Sequence, residues 1–297
     1  ATRIASPSET RVEAGVVRRQ LAARDYLETV NFAFVDAQWL AHWQVADGAV
    51  PLANPLSAEL AVMRTALLPG VVAALQRNVA RQAGRVRLFE IGNVFQAEAG
   101  AAPRETLRLA AAVVGEAAAE QWGQPARKVD FHDLKGDLES VAALSGATLE
   151  YRPSSAPHGH PGRSADVYRD NQKVGWIGQL HPRLQRALDL DAEVIAFEVD
   201  LAPLSARALP RAGDLSRYPS VRRDIAFVVA DTVPWAQIAA TARTAAGPLL
   251  RDVQLFDRYV GQGVESGQKS LAMGLILQDN SRTLTDADVA QVVAPVV

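Results

Sequence analysis

The stretch Phe256–Leu277, FDRYVGQGVESGQKSLAMGLIL, sets three glycines, Gly261, Gly263 and Gly267, between two apolar segments. Such a cluster is either a phosphate cradle or a turn. The spacing G-x-G-x-x-x-G is one residue longer than the dinucleotide fingerprint. That fingerprint also needs a strand before it and a helix after it, so that the helix N-terminus faces the pyrophosphate. Here the segment after the glycines, Ser270–Leu277, is short and apolar and reads as a strand. The segment is therefore read as a hairpin, with Gly261 and Gly263 supplying the φ > 0 needed in a turn between two central strands.

Around the hairpin the pattern reads strand (Arg223 to Val229), helix (Pro234 to Ala246), strand (Leu250 to Tyr259), strand (Ser270 to Gln278) and helix (Thr285 onward). This βαββα order lacks one strand of the ferredoxin-like split βαβ fold. Upstream, the Pro/Ala/Arg stretch Ala202–Gly213 reads as a boundary, giving a module over 1–204, a linker over 205–213 and a ferredoxin-like domain over 214–297.

In the first module, Ser6–Ala23 reads as a helix capped by Ser6 or Ser8, because Val12, Val16, Val17 and Leu21 recur at helical spacing. Thr29–Val35 alternates like a strand, and Leu67–Ala83 reads as an amphipathic helix with Pro69 in its first turn. Val86–Phe95 and Leu107–Gly115 read as strands, and Asp166–Leu180 as a hairpin turning at Asp170 and Asn171. "DFHDLKGDLESVAAL" starts a helix, with Asp133, Asp137 and Glu139 near an N-terminus whose dipole favours carboxylates. Without strict βαβ alternation, the class is α+β with an antiparallel sheet.

Composition excludes more than it selects. The chain has 297 residues, 48% apolar and 22% charged, with a net charge of -2, which suits about two ordinary domains and advertises neither nucleic acid nor membrane. The absence of cysteine removes disulfides, thiolate metal sites and cysteine nucleophiles. No apolar run reaches the ~18 residues of a spanning helix. The start lacks a methionine and a signal-peptide pattern, and the end stops in a helix, so the chain reads as part of a longer one.

Two regions carry candidate chemistry. His158 and His160 sit two apart near Arg163, with His181 and Asp133 as further metal ligands if the fold gathers them; a turn with polar side chains is the competing reading. No catalytic motif with a nucleophile and spaced base is present. Tyr259 ends a strand beside the hairpin, with Asp257 on the same face and Ser270 placed to lie opposite. An aromatic on an open sheet, with hydrogen-bonding neighbours, is a platform for an unpaired base. From Ser205 to the end there are ten Arg and Lys against nine Asp and Glu, so phosphate contacts depend on clustering, with Arg222, Arg258, Lys269 and Arg282 as candidates.

At this point the motifs resemble one family, the beta subunit of bacterial phenylalanyl-tRNA synthetase. "NPLSAELAVMRTALLPGVVAALQRN" followed by "RLFEIGNVF" looks like that subunit's catalytic-like module, and "VDFHDLKGDLESV", "HPGRSADVY" and "GWIGQLHP" continue it in order. "RYPSVRRDIAFVV" through "LFDRYVGQGVESGQKSLAMGLILQDNSRTLTDADV" looks like the ferredoxin-fold anticodon-binding domain. The resemblance implies a class II synthetase-like antiparallel sheet module without catalytic residues. It implies a cytoplasmic heterotetramer of two alpha and two beta subunits, with alpha carrying the active site that uses ATP and magnesium. Neither cofactor nor metal is expected on this chain, and the family's editing domain and acidic magnesium-binding stretch have no counterpart here. Ala226, Asp257, Tyr259 and Ser270 then stand where the family binds the anticodon of phenylalanine tRNA. Asn54, Met63, Arg64, Leu67 and Leu68 are expected at the subunit interface. The competing expectations are a regulatory ferredoxin-like domain that binds a small molecule, and a free-standing enzyme built on His158, His160 and Asp133.

Overall fold

The computed structural model describes residues 9–209 and 215–296. The chain divides into two compact units, Ala1–Leu209 and Pro210–Val297.

In the first unit the elements run α1 (Ala14–Ala22), β1 (Leu27–Glu28), β2 (Phe34–Val35), α2 (Ala37–Trp43), β3 (Val62–Met63), α3 (Leu68–Ala80), β4 (Arg85–Gln96), β5 (Arg104–Gly115), α4 (Phe131–Ala143), β6 (Glu150–Pro153), β7 (Gly159–Arg169), β8 (Gln172–Leu180), α5 (Pro182–Ala187), β9 (Ile195–Asp200) and α6 (Leu201–Ser205). Seven strands form one sheet in the order β1-β4-β5-β9-β8-β7-β6. Only the β1–β4 pairing is parallel; the others are antiparallel.

The central strand β5 shows how the sheet is covered. Leu109, Ala111 and Val113 pack with α1 and α4 through Val17, Leu21, Leu134, Leu138 and Val141. Ala110, Ala112 and Val114 point the other way, into a cluster with Val71, Val72 and Leu75 of α3. Successive side chains of a strand leave opposite faces, so a run apolar at every position needs helices on both sides. The β7–β8 hairpin turns at Asp170 (φ 49) and Asn171 (φ 63), two residue types that tolerate the left-handed region.

The acidic residues left inside this unit are paired. Asp137 lies in the middle of α4 and is buried; it accepts from Arg87, from Arg24 Nη1 at 2.8 Å and from the Tyr26 hydroxyl at 2.7 Å. The reading of Asp137 as a helix N-terminal carboxylate is thereby corrected. Asp130 and Asp133 cap that helix instead, in a reciprocal capping box. Glu198 on β9 accepts the backbone N–H groups of Leu67 and Leu68, each at 2.9 Å, and Arg108 Nη1 at 2.9 Å. A buried carboxylate thus satisfies donors at the start of α3.

Three further expectations are corrected in this unit. The first helix begins at Ala14 rather than Ser6, because Arg11 bridges to Ala206 and Val12 N donates to Ser205 O at 2.8 Å. Its expected caps, Ser6 and Ser8, fall outside the described residues. Thr29–Val35 is not one strand: only Phe34–Val35 is extended pairing, and Asn31 instead donates its side-chain amide to Glu90 at 2.6 Å. Of the expected linker over 205–213, Ser205 is the buried last residue of α6, and residues 210–213 fall outside the described residues.

The second unit runs β10 (Val221–Ala230), α7 (Trp235–Ala246), β11 (Leu250–Tyr259), β12 (Gln268–Leu277) and α8 (Asp286–Val293). Its antiparallel sheet has the order β10-β12-β11. The whole is α+β, as the pattern of elements implied. The hairpin joins the central strand β12 to β11, an edge strand among the described residues, rather than two central strands. Its positive φ angles fall at Gly263 (89°) and Gly267 (83°), not at Gly261.

Candidate nucleic-acid interface

The burial of β12 fixes the orientation of the second sheet. Leu271, Met273, Leu275 and Leu277 are buried in a cluster with Ala242 of α7 and Val289 of α8. Ser270, Ala272, Gly274 and Ile276 alternate with them and belong to the opposite face. Residues directly paired in an antiparallel ladder share a face. One row across that open face is Ala226–Ala272–Asp257, and the next is Val228–Ser270–Tyr259. All four sequence candidates, Ala226, Asp257, Tyr259 and Ser270, therefore stand together on the face that α7 and α8 do not cover.

The hairpin shapes this face at one end. The Tyr259 hydroxyl donates to Gln262 O at 3.2 Å, which folds the ring back against the turn and leaves it 46% exposed. Gly261 is needed for that approach, since a Cβ there would sit 2.6 Å from the tyrosine hydroxyl oxygen. The glycine thus serves a side chain rather than a φ angle. Val228 is 52% exposed, and Ala226 and Ala272 give a low floor between the taller side chains. Exposed apolar surface grouped in this way marks a contact site.

The register also brings in Phe256, which alternation counted back from Asp257 places on the helix side. A shift between Leu255 and Asp257 inserts one extra residue into β11. Phe256 is left 51% exposed, with the Arg222 guanidinium 5.0 Å from its ring centroid. The signal was present in the sequence as two adjacent large apolar residues, Leu255 and Phe256, breaking a period of two.

Of the four candidate phosphate contacts, Arg222 is the one on the open face, where its Nε donates to Asp224 at 2.7 Å. Arg258 pairs in register with Leu271, on the helix side, and binds Asp231 at 3.0 Å. Lys269 is buried and donates to the carbonyls of Asp231 and Val233, both at 2.7 Å. Arg282 makes a two-pronged contact with Asp288, at 2.8 Å from each oxygen, which holds that carboxyl well below the usual range. Of these three only Lys269 is buried; the Arg258 and Arg282 side chains are each 54% exposed beside their acidic partners, much as Arg222, at 46%, is beside Asp224.

The expected subunit-interface residues separate in the same manner. Leu67 (0% exposed), Leu68 (2%) and Arg64 (7%) are interior, and Arg64 Nη1 is committed to Glu90 at 2.6 Å. Buried inside their own unit, they offer no surface to a partner. Asn54 is exposed, and Met63 is half-buried in β3 against Phe34. The exposed apolar side chains nearby are Val30, Phe32 and Leu56; Val30 and Phe32 line a cleft of about 880 Å³ with Trp39 and Leu60.

The histidines have separate duties. His158 lies between Trp43 and Trp176, at ring distances of 6.4 and 4.7 Å, and burial lowers its pKa to about 4. The His160 ring accepts from Gly162 N at 3.1 Å, and the His181 ring caps α5 by accepting from Arg183 N at 3.0 Å. Among the described residues, no group of three or more His, Asp or Glu side chains is placed to hold a metal ion. Nor is any helix among them long and apolar enough to cross a membrane.

Comparison with known families matches this division. Residues 1–201 fit the model of the phenylalanyl tRNA synthetase beta chain CLM domain. The chain belongs to the phenylalanyl-tRNA synthetase beta-chain family. Residues 216–297 fit the ferredoxin-fold anticodon binding domain, which includes the whole open sheet. Similar curated proteins include the phenylalanine–tRNA ligase beta subunits of Xanthomonas campestris pv. campestris (70% identical), Xanthomonas euvesicatoria pv. vesicatoria (69%) and Xylella fastidiosa strain Temecula1 (62%). Each alignment covers 100% of this chain and 38% of the relative. The chain thus spans well under half the length of these synthetase beta subunits. The matches favour the synthetase resemblance and not the small-molecule regulatory reading.

Proposed function

We propose that this chain is the scaffold and anticodon-binding portion of a phenylalanine–tRNA ligase beta subunit. In that role it joins a cytoplasmic assembly of two alpha and two beta subunits. Alpha performs the ATP- and magnesium-dependent attachment of phenylalanine to its tRNA. The chain itself contributes no catalytic group. The exposed apolar side chains Val30, Phe32 and Leu56 take over the role of alpha-facing surface from the buried Leu67 and Leu68.

The observation that supports the RNA-binding half most directly is the pair of rows on the open sheet. Tyr259 offers a ring to stack on an unpaired base, Asp257 accepts from a base edge, and Ser270 exchanges a hydrogen bond beside the ring. Ala226 and Ala272 keep the floor low enough for a base to approach.

The test is a salt titration of binding to the anticodon stem-loop of a phenylalanine tRNA, with a changed-anticodon hairpin as control. Cognate preference is expected, with affinity falling as salt rises because phosphate contacts release counterions. Tyr259→Ala is expected to lose about 1–3 kcal/mol of binding, the range for a stacking contact, with an unchanged melting temperature. Equal affinity for both hairpins, or an unaffected variant, sinks the proposal.

A further inference from the structure

The open sheet face carries a second aromatic that neither the residue pattern nor the family resemblance assigns. We infer that Phe256 is a second base-stacking position, so that the face holds two unpaired bases rather than one. The inference rests on the reading of this face as an RNA-binding surface.

Three observations carry it. The first is the bulge. Leu255 pairs with Met273 on the helix side, so Phe256 falls on the open side, and the extra residue keeps Asp257 and Tyr259 on that side as well. Bulges of this kind re-aim a side chain while the rest of the ladder keeps its register. Phe256 keeps 51% of its surface exposed.

The second is the bare ground beside it. Gly274 lies in the central strand, opposite Asp224 on one side and Gln254 on the other. A Cβ at Gly274 would come within 3.0 Å of Arg222 Nε and 3.0 Å of Asp224 Oδ1. The missing side chain lets Arg222 lie low across the central strand and reach the Phe256 ring, 5.0 Å from its centroid. A guanidinium over an aromatic face is attractive and holds the ring in place. It also puts a cation of this face next to the ring, placed to meet the phosphate of a stacked nucleotide.

The third is spacing. Phe256 and Tyr259 are three positions apart on β11, somewhat less than the ~10 Å of fully extended chain because Phe256 sits in the bulge. Between them lie Asp257, Ala272 and Ala226, one acceptor on a floor of two methyl groups. Two rings at the ends of such a floor suit two neighbouring bases splayed out of a loop. Single-stranded RNA is read in this way, by stacking on successive aromatic side chains with hydrogen bonds to the base edges.

The experiment uses the 297-residue chain and the phenylalanine tRNA anticodon stem-loop, carrying the fluorescent base 2-aminopurine at one loop position at a time. Stacking quenches this base, so the wild-type chain is expected to quench two positions. Phe256→Leu keeps apolar bulk but removes the ring. It is expected to restore fluorescence at one position only and to weaken binding roughly 5- to 150-fold, the range for one lost base stack. Tyr259→Leu is expected to restore the other position, and Phe256→Trp to keep both quenched. Melting temperatures of all three variants report folding, and the exposure of both rings predicts no change. If the wild-type chain quenches a single position, or if Phe256→Leu binds and quenches like wild type while Tyr259→Leu is impaired, the second stacking position is overturned and the anticodon reading stands. If the wild-type chain binds no stem-loop at all, the RNA-binding reading falls and this inference falls with it.

Discussion

Strands β5 and β12 occupy the interior of the two sheets and differ in one respect. On β5 every residue from Leu109 to Val114 is buried, because helices pack on both faces. On β12 only the residues facing α7 and α8, Leu271, Met273, Leu275 and Leu277, belong to a core. The consequence reaches beyond packing. In the covered sheet, acidic side chains in the interior, Asp137 and Glu198, are bonded by their neighbours, and removing a partner leaves an uncompensated charge. On the bare face, Tyr259, Phe256 and Val228 keep about half of their surface and are free to meet something else. Cations follow the same division: Lys269 on the helix side is consumed by carbonyls, whereas Arg222 stands over an exposed ring.

The comparison is tested most severely by Asp137→Ala. That change strands the buried Arg87 and removes the acceptor of the Tyr26 hydroxyl. A loss of about 3–5 kcal/mol in the unfolding free energy of the first unit is expected, measured by urea denaturation. A loss below about 1 kcal/mol would show that the network is as dispensable as a surface pair.

A smaller effect is expected from acid. Burial, followed by the Lys173 ammonium, lowers the His158 pKa from 6.5 to about 4, with Asp166 opposing. The unfolded imidazole takes up a proton near pH 6.5, while the folded one stays neutral until about pH 4. The folded state therefore has the full benefit above pH 6.5 and loses it progressively as the pH falls to about 4. The contribution is at most about 3 kcal/mol. His158→Gln should flatten this part of the stability–pH curve, and parallel curves for variant and wild type would remove the covered-histidine account.

Lys269→Met sharpens the assignment of faces within the second unit. It leaves the carbonyls of Asp231 and Val233 without their donor, so a loss of about 1–3 kcal/mol in stability is expected. The salt dependence of RNA binding should stay as in wild type, because the ammonium lies on the helix side. A shallower salt slope would return Lys269 to the phosphate contacts.

How much could be read without coordinates varied by element. The β7–β8 hairpin was legible because Asp170 and Asn171 tolerate left-handed backbone that few other residues adopt. The βαββα order was legible because the apolar period changes from two to 3.6 and back. Apolar spacing alone extends the first helix too far, because it continues through Val12, whose N–H is claimed by a residue nearly two hundred positions away. Leu67 and Leu68 were expected at a surface, because a sequence does not state which side of a helix start will be met by Glu198. Family resemblance points to Tyr259, Asp257, Ala226 and Ser270, whereas nothing in that resemblance points to the exposed Phe256. A bulge is a property of two strands together and shows in one of them only as a broken alternation.

The sequence by itself determined the periods, the turn residues and the family, since these depend on local backbone preference and on residue order. Tertiary structure decided which polar side chains are consumed and which are free. That depends on what packs against each face of a sheet, and the partners, Asp137 with Arg87, Glu198 with Leu67, and Lys269 with Asp231, lie between 38 and 131 positions apart in the chain.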